Sequence, residues 1–104
     1  MFVVTNRVPV AEGYRSEFEA RFRNRAGQIE QNPGFISMRI MRPARDGHPY
    51  LVQTTWESRE AFDQWVGSDD FRQAHANPMP KSAFDGPSEM EMHEVIISAD
   101  RPDR

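Results

Sequence analysis

Three residues that lie far apart in the sequence, Asn6, Trp65 and His75, have side chains that could carry out chemistry. A buried amide such as Asn6 must find hydrogen-bond partners, so it could present a donor to a pocket. Trp65 offers a large aromatic surface, and the imidazole of His75 is the commonest side-chain metal ligand. Each also has a simpler interpretation: a satisfied core amide, a core or dimer-contact tryptophan, and a surface histidine. Their function therefore depends on whether the fold brings them together.

The histidine content restricts the metal centre that His75 could serve. A zinc site uses three or four protein ligands, and no pair among His48, His75 and His93 has the spacing of such a site. A haem iron needs only one axial side chain, because the porphyrin supplies the other nitrogens. The sequence contains no cysteine, which excludes disulfides, thiolate ligation and iron–sulfur clusters. His75 is therefore a candidate axial ligand of haem iron.

Arg21 and Arg25 lie four residues apart on a predicted helix, and Arg25 falls inside the apolar stripe of that helix. One explanation is that the aliphatic stems lie along apolar surface while the charges reach water, with Arg21 pairing with Glu17. The other is that the two guanidinium groups receive carboxylates, such as the propionates of haem.

Composition limits the partners of the protein. The formal net charge is −3, from 13 basic and 16 acidic residues, so no broad cationic surface is expected for nucleic acid or anionic lipid. The start of the sequence lacks the features of a secretory signal, and no stretch approaches the ~20 apolar residues of a membrane span. We therefore expect a single cytoplasmic domain over residues 1–104, with a flexible polar tail at about 100–104, and neither nucleic acid nor membrane as a partner.

Hydrophobic periodicity predicts the element order β-α-β-β-α-β. The predicted strands cover 2–10, 35–42, 50–56 and 90–98, and the predicted first helix covers 12–31. Ser58 is a plausible N-cap of the second helix, which is broken at Gly67 and Ser68 and continues to about Ala76. Without the break, Trp65 and His75 would point about 80° apart. The break allows both to line one cavity. Segment 77–87, which holds three prolines, is predicted to form an irregular arm.

This order predicts an α+β fold, a ferredoxin-like sandwich with both helices on one face of an antiparallel sheet. Apolar residues occur at both strand parities, for example Val3 beside Val4 and Leu51 beside Val52. The apolar side chains on the second face of the sheet would then also have to be buried. We expect a homodimer in which two sheets pack together.

Several segments resemble the antibiotic biosynthesis monooxygenase superfamily and, more narrowly, its IsdG-type haem-degrading monooxygenases. The Pro-Gly-Phe motif at 33–35 and the Trp-Glu-Ser run at 56–58, followed by Ala-Phe at 61–62, are superfamily features. Asn6, Trp65 and His75 match the Asn, Trp and His triad of the haem-degrading branch. The resemblance extends from residue 2 to about residue 97.

The resemblance implies a dimeric α/β-barrel with a haem cleft between the helices and the sheet of each subunit. His75 would be the proximal iron ligand, and Asn6 would donate a hydrogen bond near the distal oxygen. Trp65 would press on the porphyrin and ruffle it. The resemblance also makes three residues of the first helix candidate contacts of the bound haem: Arg21, Phe22 and Arg25.

In this interpretation haem is both the substrate and the cofactor that activates O2. The porphyrin ring would be opened by oxygenation to an open-chain tetrapyrrole, with release of iron. The sequence has no thiol and no flavin or nicotinamide motif, so electrons would come from an external donor, a reductase or a small reductant.

Two alternatives remain. The first is a cofactor-independent oxygenase of the same superfamily that acts on an aromatic or quinol substrate. The second is a non-catalytic dimeric ligand-binding module, in which Trp65 is core and His75 is incidental. An exposed His75 on a filled helix–sheet interface would exclude haem. The acidic pair Asp69 and Asp70 would oppose an anionic ligand if it faced the cleft, but as N-terminal helical residues the two would stabilise the helix dipole.

Overall fold

The computed structural model describes residues 1–25 and 28–102. Its strands are β1 (Phe2–Val8), β2 (Phe35–Met41), β3 (Tyr50–Trp56) and β4 (Glu89–Glu94), and its α-helices are α1 (Arg15–Asn24), α2 (Arg59–Val66) and α3 (Asp69–Ala74). All neighbouring strands are antiparallel, in the order β2-β3-β1-β4. The predicted ferredoxin-like α+β fold is confirmed.

One face of the sheet carries the core. Phe2, Val4 and Val8 alternate along β1 and are buried on this face. They belong to two apolar clusters, one around Trp56 that includes residues of α2, and one around Tyr50 that includes Phe18 of α1. Both helical segments therefore cover the same face, as predicted. The two clusters leave the middle of β1 between them.

The first helix is shorter than the sequence pattern suggested. It ends at Asn24, and the buried Ile29 lies in a separate 3-10 turn, Ile29–Gln31. The prediction of one continuous helix over 12–31 was therefore wrong. An apolar residue keeps its place in the core equally well from a 3-10 turn, so the apolar spacing did not reveal the end of the helix. Residues 26 and 27, which the prediction included, lie outside the described residues.

Two serines start the short helices. The hydroxyl oxygen of Ser58 accepts a hydrogen bond from the Ala61 amide at 3.2 Å, and that of Ser68 accepts one from the Phe71 amide at 3.2 Å. Each hydroxyl satisfies an amide that the first turn of a helix leaves without a partner. The predicted N-cap and the predicted break are both confirmed.

The last strand is also shorter than predicted. Beyond β4, the Val95 amide still donates to the Met1 carbonyl at 2.9 Å. Ile96 and Ile97 lie past this last bond to β1 and are 87% and 84% exposed. The predicted tail is exposed at 100–102, and its last two residues lie outside the described part. None of the described helices is long and apolar enough to span a membrane.

Candidate functional site

A cavity of about 280 Å³ lies between the helices and the sheet. Strands β1, β2 and β3 form its floor, α1 and α3 form its sides, and residues of 78–88 close a further side. Most of its walls are apolar, with contributions from Phe18, Met38, Val52 and Phe84. Its volume is close to the lower bound of about 300 Å³ for small-molecule sites.

All six residues that the sequence singled out line this one cavity. They are Asn6, Arg21, Phe22, Arg25, Trp65 and His75. They come from β1, from the segment 21–25, from the end of α2 and from the residue after α3, so only the folded chain brings them together.

Asn6 lies on the cavity floor, on the same face of β1 as Val4 and Val8. It is half-buried, and it pairs in register with Val52 on β3 and Met90 on β4. Within the described part of the chain its side-chain amide has no hydrogen-bond partner. A polar group in an apolar floor is therefore available to a bound molecule.

Trp65 belongs both to the core and to the cavity. Its ring lies 5.5 Å from Trp56 and meets Phe71 edge-on at 4.8 Å, with an interplanar angle of 89°. The side chain is half-buried and also lines the cavity. The neighbouring rings hold the indole in place, so that it forms a rigid part of the wall.

His75 follows the last residue of α3 and lies at the cavity rim. Its ring is exposed and packs 4.1 Å from the Phe71 ring. Nδ1 of His75 lies 2.8 Å from the Phe71 carbonyl oxygen. Because a carbonyl can only accept a hydrogen bond, Nδ1 must be the donor, and in the neutral ring Nε2 keeps its lone pair. His75 is exposed, but the helix–sheet interface beside it contains a cavity and is not filled.

The two arginines have different surroundings. The guanidinium of Arg21 donates a hydrogen bond to the Asn77 carbonyl, and no ion pair with Glu17 occurs among the described residues. Arg25 lies over the Phe22 ring at 5.2 Å. Burial lowers the pKa of the Arg25 guanidinium, and the positive charge of Arg21 lowers it further. Neither arginine forms an ion pair in the described part of the protein, although the carboxylate of Asp70 lines the same cavity.

Of the acidic pair Asp69 and Asp70, which was expected to stabilise the helix dipole, Asp70 also lines the cavity, where its charge would oppose an anionic ligand. Asp70 is the second residue of α3 and lies four residues before Ala74, another lining residue. Asn32 donates a long hydrogen bond of 3.5 Å to its carboxylate. Its neighbour Asp69 instead pairs with Arg72 and does not line the cavity. The sequence alone does not indicate which of the two carboxylates faces the cavity, because Ala74, on the same helical face as Asp70, has no distinguishing feature of its own.

The arm at 77–87 lies against its own chain and contributes Pro78, Met79 and Phe84 to the cavity wall. Ala83 is fully buried, and its carbonyl accepts a hydrogen bond from the Ala11 amide at 2.7 Å. The sequence showed an irregular segment, but its position depends on these contacts with residues far away in the chain.

A network on the other side of α1 fixes this helix on the sheet. Glu19 accepts hydrogen bonds from Nε and Nη2 of Arg42 at 2.8 and 2.6 Å, and one from the Tyr50 hydroxyl at 2.5 Å. The hydrogen bonds from Arg42 and then from Tyr50 lower the pKa of Glu19 from 4.5 to about 2. Burial, followed by the hydrogen bond to Glu19, raises the pKa of Tyr50. The network therefore positions the helix that carries Arg21.

Comparison with known proteins agrees with this fold. Residues 1–77 match the family model described as antibiotic biosynthesis monooxygenase. A heme oxygenase (mycobilin-producing) of Mycobacterium tuberculosis is 35% identical over 94 residues, which cover 90% of this chain and 89% of that protein. A heme oxygenase (staphylobilin-producing) of Staphylococcus haemolyticus is 36% identical over 89 residues, covering 84% of this chain and 85% of that protein.

Among solved structures, the heme-degrader MhuD of Mycobacterium tuberculosis, with two hemes bound in its active site, matches with a TM-score of 0.79 and 32% identity. The match covers 96% of this chain and 100% of that chain. The resemblance read from the sequence is therefore confirmed. The family model, the relatives and the shared fold together show that this chain belongs to the antibiotic biosynthesis monooxygenase family.

Proposed function

We propose that this protein binds haem in the cavity and opens the porphyrin ring by oxygenation, releasing iron. The observation that carries the proposal is the hydrogen bond between His75 Nδ1 and the Phe71 carbonyl. It leaves Nε2 free for axial ligation, which is the usual arrangement of a metal-binding histidine. The relatives named heme oxygenases, at 35% and 36% identity, support the same activity.

The cavity fits the chemistry of a porphyrin. Its walls are mostly apolar, as a flat hydrocarbon ring requires, and Arg21 and Arg25 are the guanidinium groups among its described lining residues. A carboxylate beside Arg25 would compensate for the hydration that burial removes from this cation. A porphyrin is large for a cavity of about 280 Å³, so it would extend across the exposed rim beside His75.

Three of the lining residues have distinct roles in the proposed reaction. His75 would hold the iron, Asn6 would donate a hydrogen bond at the reacting centre, and Trp65 would press on the ring and distort it. When bound, haem supplies the oxygen activation and is also the molecule that is opened. O2 is consumed, and electrons come from an external reductase or a small reductant.

The proposed assembly is a homodimer with one ferredoxin-like domain per subunit. Apolar side chains remain exposed at Val95, Ile96 and Ile97, just beyond β4. Val3 and Leu51 also lie on the outward face of the sheet, at opposite ends of the β1–β3 pair and with polar side chains between them. Large apolar side chains left exposed at the end of an edge strand are typical of an interface, and a second copy of the same chain is the simplest partner.

A hemin titration tests the proposed function. Wild-type protein should form a saturable complex with a Soret band, and His75→Ala should lose it. His48→Ala, in an exposed turn, is the matched control and should bind as wild type does. With ascorbate and O2, the wild-type Soret band should decay as an open-chain tetrapyrrole forms. A wild-type protein without a saturable complex, or a complex that His75→Ala leaves unchanged, would refute the proposal.

A further inference from the structure

The two cavity arginines are engaged differently, although the sequence suggested one shared role. The guanidinium of Arg25 packs on Phe22 and has no hydrogen bond or ion pair within the described part of the chain. Arg21 instead donates to the backbone carbonyl of Asn77, at the start of the arm. We propose that Arg21 is a positioning residue that holds segment 77–80 as a wall of the cavity and thereby sets the rate at which the ligand enters and leaves.

The far half of the arm is fixed without Arg21. Ala83 is buried and bonded to the Ala11 amide at 2.7 Å, and the Asp85 amide donates to the Pro9 carbonyl at 2.8 Å. The Ser82 hydroxyl also lies 3.2 Å from the hydroxyl of Tyr14. These contacts attach 82–85 to the chain that follows β1, so this half of the arm is a stable anchor.

The near half of the arm has few other attachments. Pro78 and Pro80 have no amide hydrogen, so neither can donate a backbone hydrogen bond. Asn77 and Pro78 are exposed, and Met79 packs into the cluster around Tyr50. In the described part of the structure, the bond from Arg21 is the polar contact that joins 77–80 to α1. Without it, the apolar packing of Met79 and the hydrogen bond from the Ala83 amide to the Pro80 carbonyl, at 2.9 Å, would be left to hold this wall in place.

The position of this wall matters because it adjoins His75. Pro78 and Met79 line the cavity a few residues after the proposed iron ligand. If segment 77–80 moves away, the cavity opens next to His75. This inference rests on the proposed function, because the ligand whose exchange it describes is haem.

The main variant is Arg21→Gln, and Arg23→Gln is its matched control. Arg23 lies on the same helix, is 71% exposed, pairs with Glu19 and does not line the cavity. The measurements are the dissociation rates of hemin and of hemin dimethyl ester, which lacks the two carboxylates. Arg21→Gln should release both ligands roughly three- to tenfold faster, as loss of one hydrogen bond of ordinary strength at an exposed site predicts. Arg23→Gln should release both at the wild-type rates.

Arg25→Gln separates this role from carboxylate binding. Because Arg25 is left for the ligand carboxylates, its loss should accelerate the release of hemin and leave the ester unchanged. If the effect of Arg21→Gln were confined to hemin in the same way, Arg21 would be a carboxylate contact and the proposal would be wrong.

Hydrogen exchange in the ligand-free protein provides a test that does not depend on haem. Peptides that cover 76–84, which include the Ala83 amide bonded to the Pro80 carbonyl, should exchange faster in Arg21→Gln than in wild type or Arg23→Gln. Unchanged exchange would overturn the proposal even if hemin binds normally. Faster exchange in a protein that does not bind hemin would support the role of Arg21 and refute only the proposed function.

Discussion

At the scale of single residues, a substitution of Asn6 should distinguish the binding of hemin from the opening of its ring. Its amide lies on the cavity floor without a partner in the described part of the chain, whereas the proposed ligation depends on His75. Asn6→Ala should therefore bind hemin with an affinity close to that of wild type. Ring opening with ascorbate should fall by about a hundredfold to a thousandfold, as for the loss of one donor at a reacting centre.

The matched control is Thr5→Ala, the preceding residue, whose side chain faces the opposite side of the sheet and accepts a hydrogen bond from Gln53. Soret titration gives the affinity, and the decay of the Soret band gives the rate. An Asn6→Ala protein that opens the ring at the wild-type rate would show that the amide has no part in the reaction.

The residue scale also shows what could be predicted from the sequence. The inward direction of Asn6 followed from the two-residue period of a strand, which depends only on neighbours in the chain. The hydrogen bond of His75 to Phe71 follows helical spacing, but the sequence does not reveal which ring nitrogen it uses. The contact of Arg21 with Asn77 joins residues 56 positions apart, so no local pattern could indicate it.

At the scale of elements, the attachment of α1 to the sheet should depend on pH. In the folded protein the pKa of Glu19 is about 2, below its ordinary 4.5, because Arg42 and Tyr50 donate hydrogen bonds to the carboxylate. A lowered pKa contributes stability that is complete above pH 4.5 and is lost as the pH falls towards 2. The free energy of unfolding of the wild type should therefore decrease over this window.

Glu19→Gln should be less stable than wild type near neutral pH and should show a shallower loss between pH 4.5 and 2. Glu17→Gln, an exposed position on the same helix, is the control and should follow the wild-type profile. Urea unfolding at a series of pH values measures the effect. If the free energy of unfolding depended on pH equally in wild type and Glu19→Gln, the attribution of this dependence to Glu19 would be wrong.

The close packing of α2 against the residue that precedes β2 depends on Gly34. This residue has a φ of +80°, and an added Cβ would lie 2.5 Å from the Ala61 Cβ. Gly34→Ala should lower the free energy of unfolding by about 2 kcal/mol or more, from backbone strain and steric overlap together. Gly47→Ala has a similar φ of +84° but open space around it, so it measures the strain alone. Equal losses in the two variants, from thermal or urea unfolding, would show that the contact with Ala61 adds nothing.

The start of a helix was predictable where a nearby residue in the sequence supplies its N-terminal cap. Ser58 and Ser68 supply caps within three residues of the amides that they bind, so their helices were found at the right places. The end of α1 and the course of the arm were not predictable in this way. Ile29 continues the apolar spacing of the helix although it lies in a 3-10 turn, and Ala83 is hydrogen-bonded to Ala11, which lies 72 residues earlier in the sequence.

At the scale of the whole molecule, the described surface is uneven in its distribution of apolar groups. On the helix-covered face, the large side chains of β1 and the aromatic residues Tyr50 and Trp56 of β3 are buried, whereas Ile96 and Ile97 are 87% and 84% exposed beyond the end of β4. A monomer would leave both isoleucines in water, at a cost of roughly 1.5–3 kcal/mol for each side chain that could otherwise be buried. Association of two copies through this edge would remove that cost.

The proposed dimer can therefore be tested at this edge. Sedimentation velocity at micromolar concentration should give a dimer for the wild type. Combining Ile96→Glu with Ile97→Glu should shift the protein towards monomer, because burying the new carboxylates would require removing their hydration. Val66→Glu is the matched control, since Val66 is 38% exposed on α2, away from the proposed interface, and should remain dimeric. A monomeric wild type, or a dimer that the two charged substitutions leave intact, would place the association surface elsewhere or exclude it.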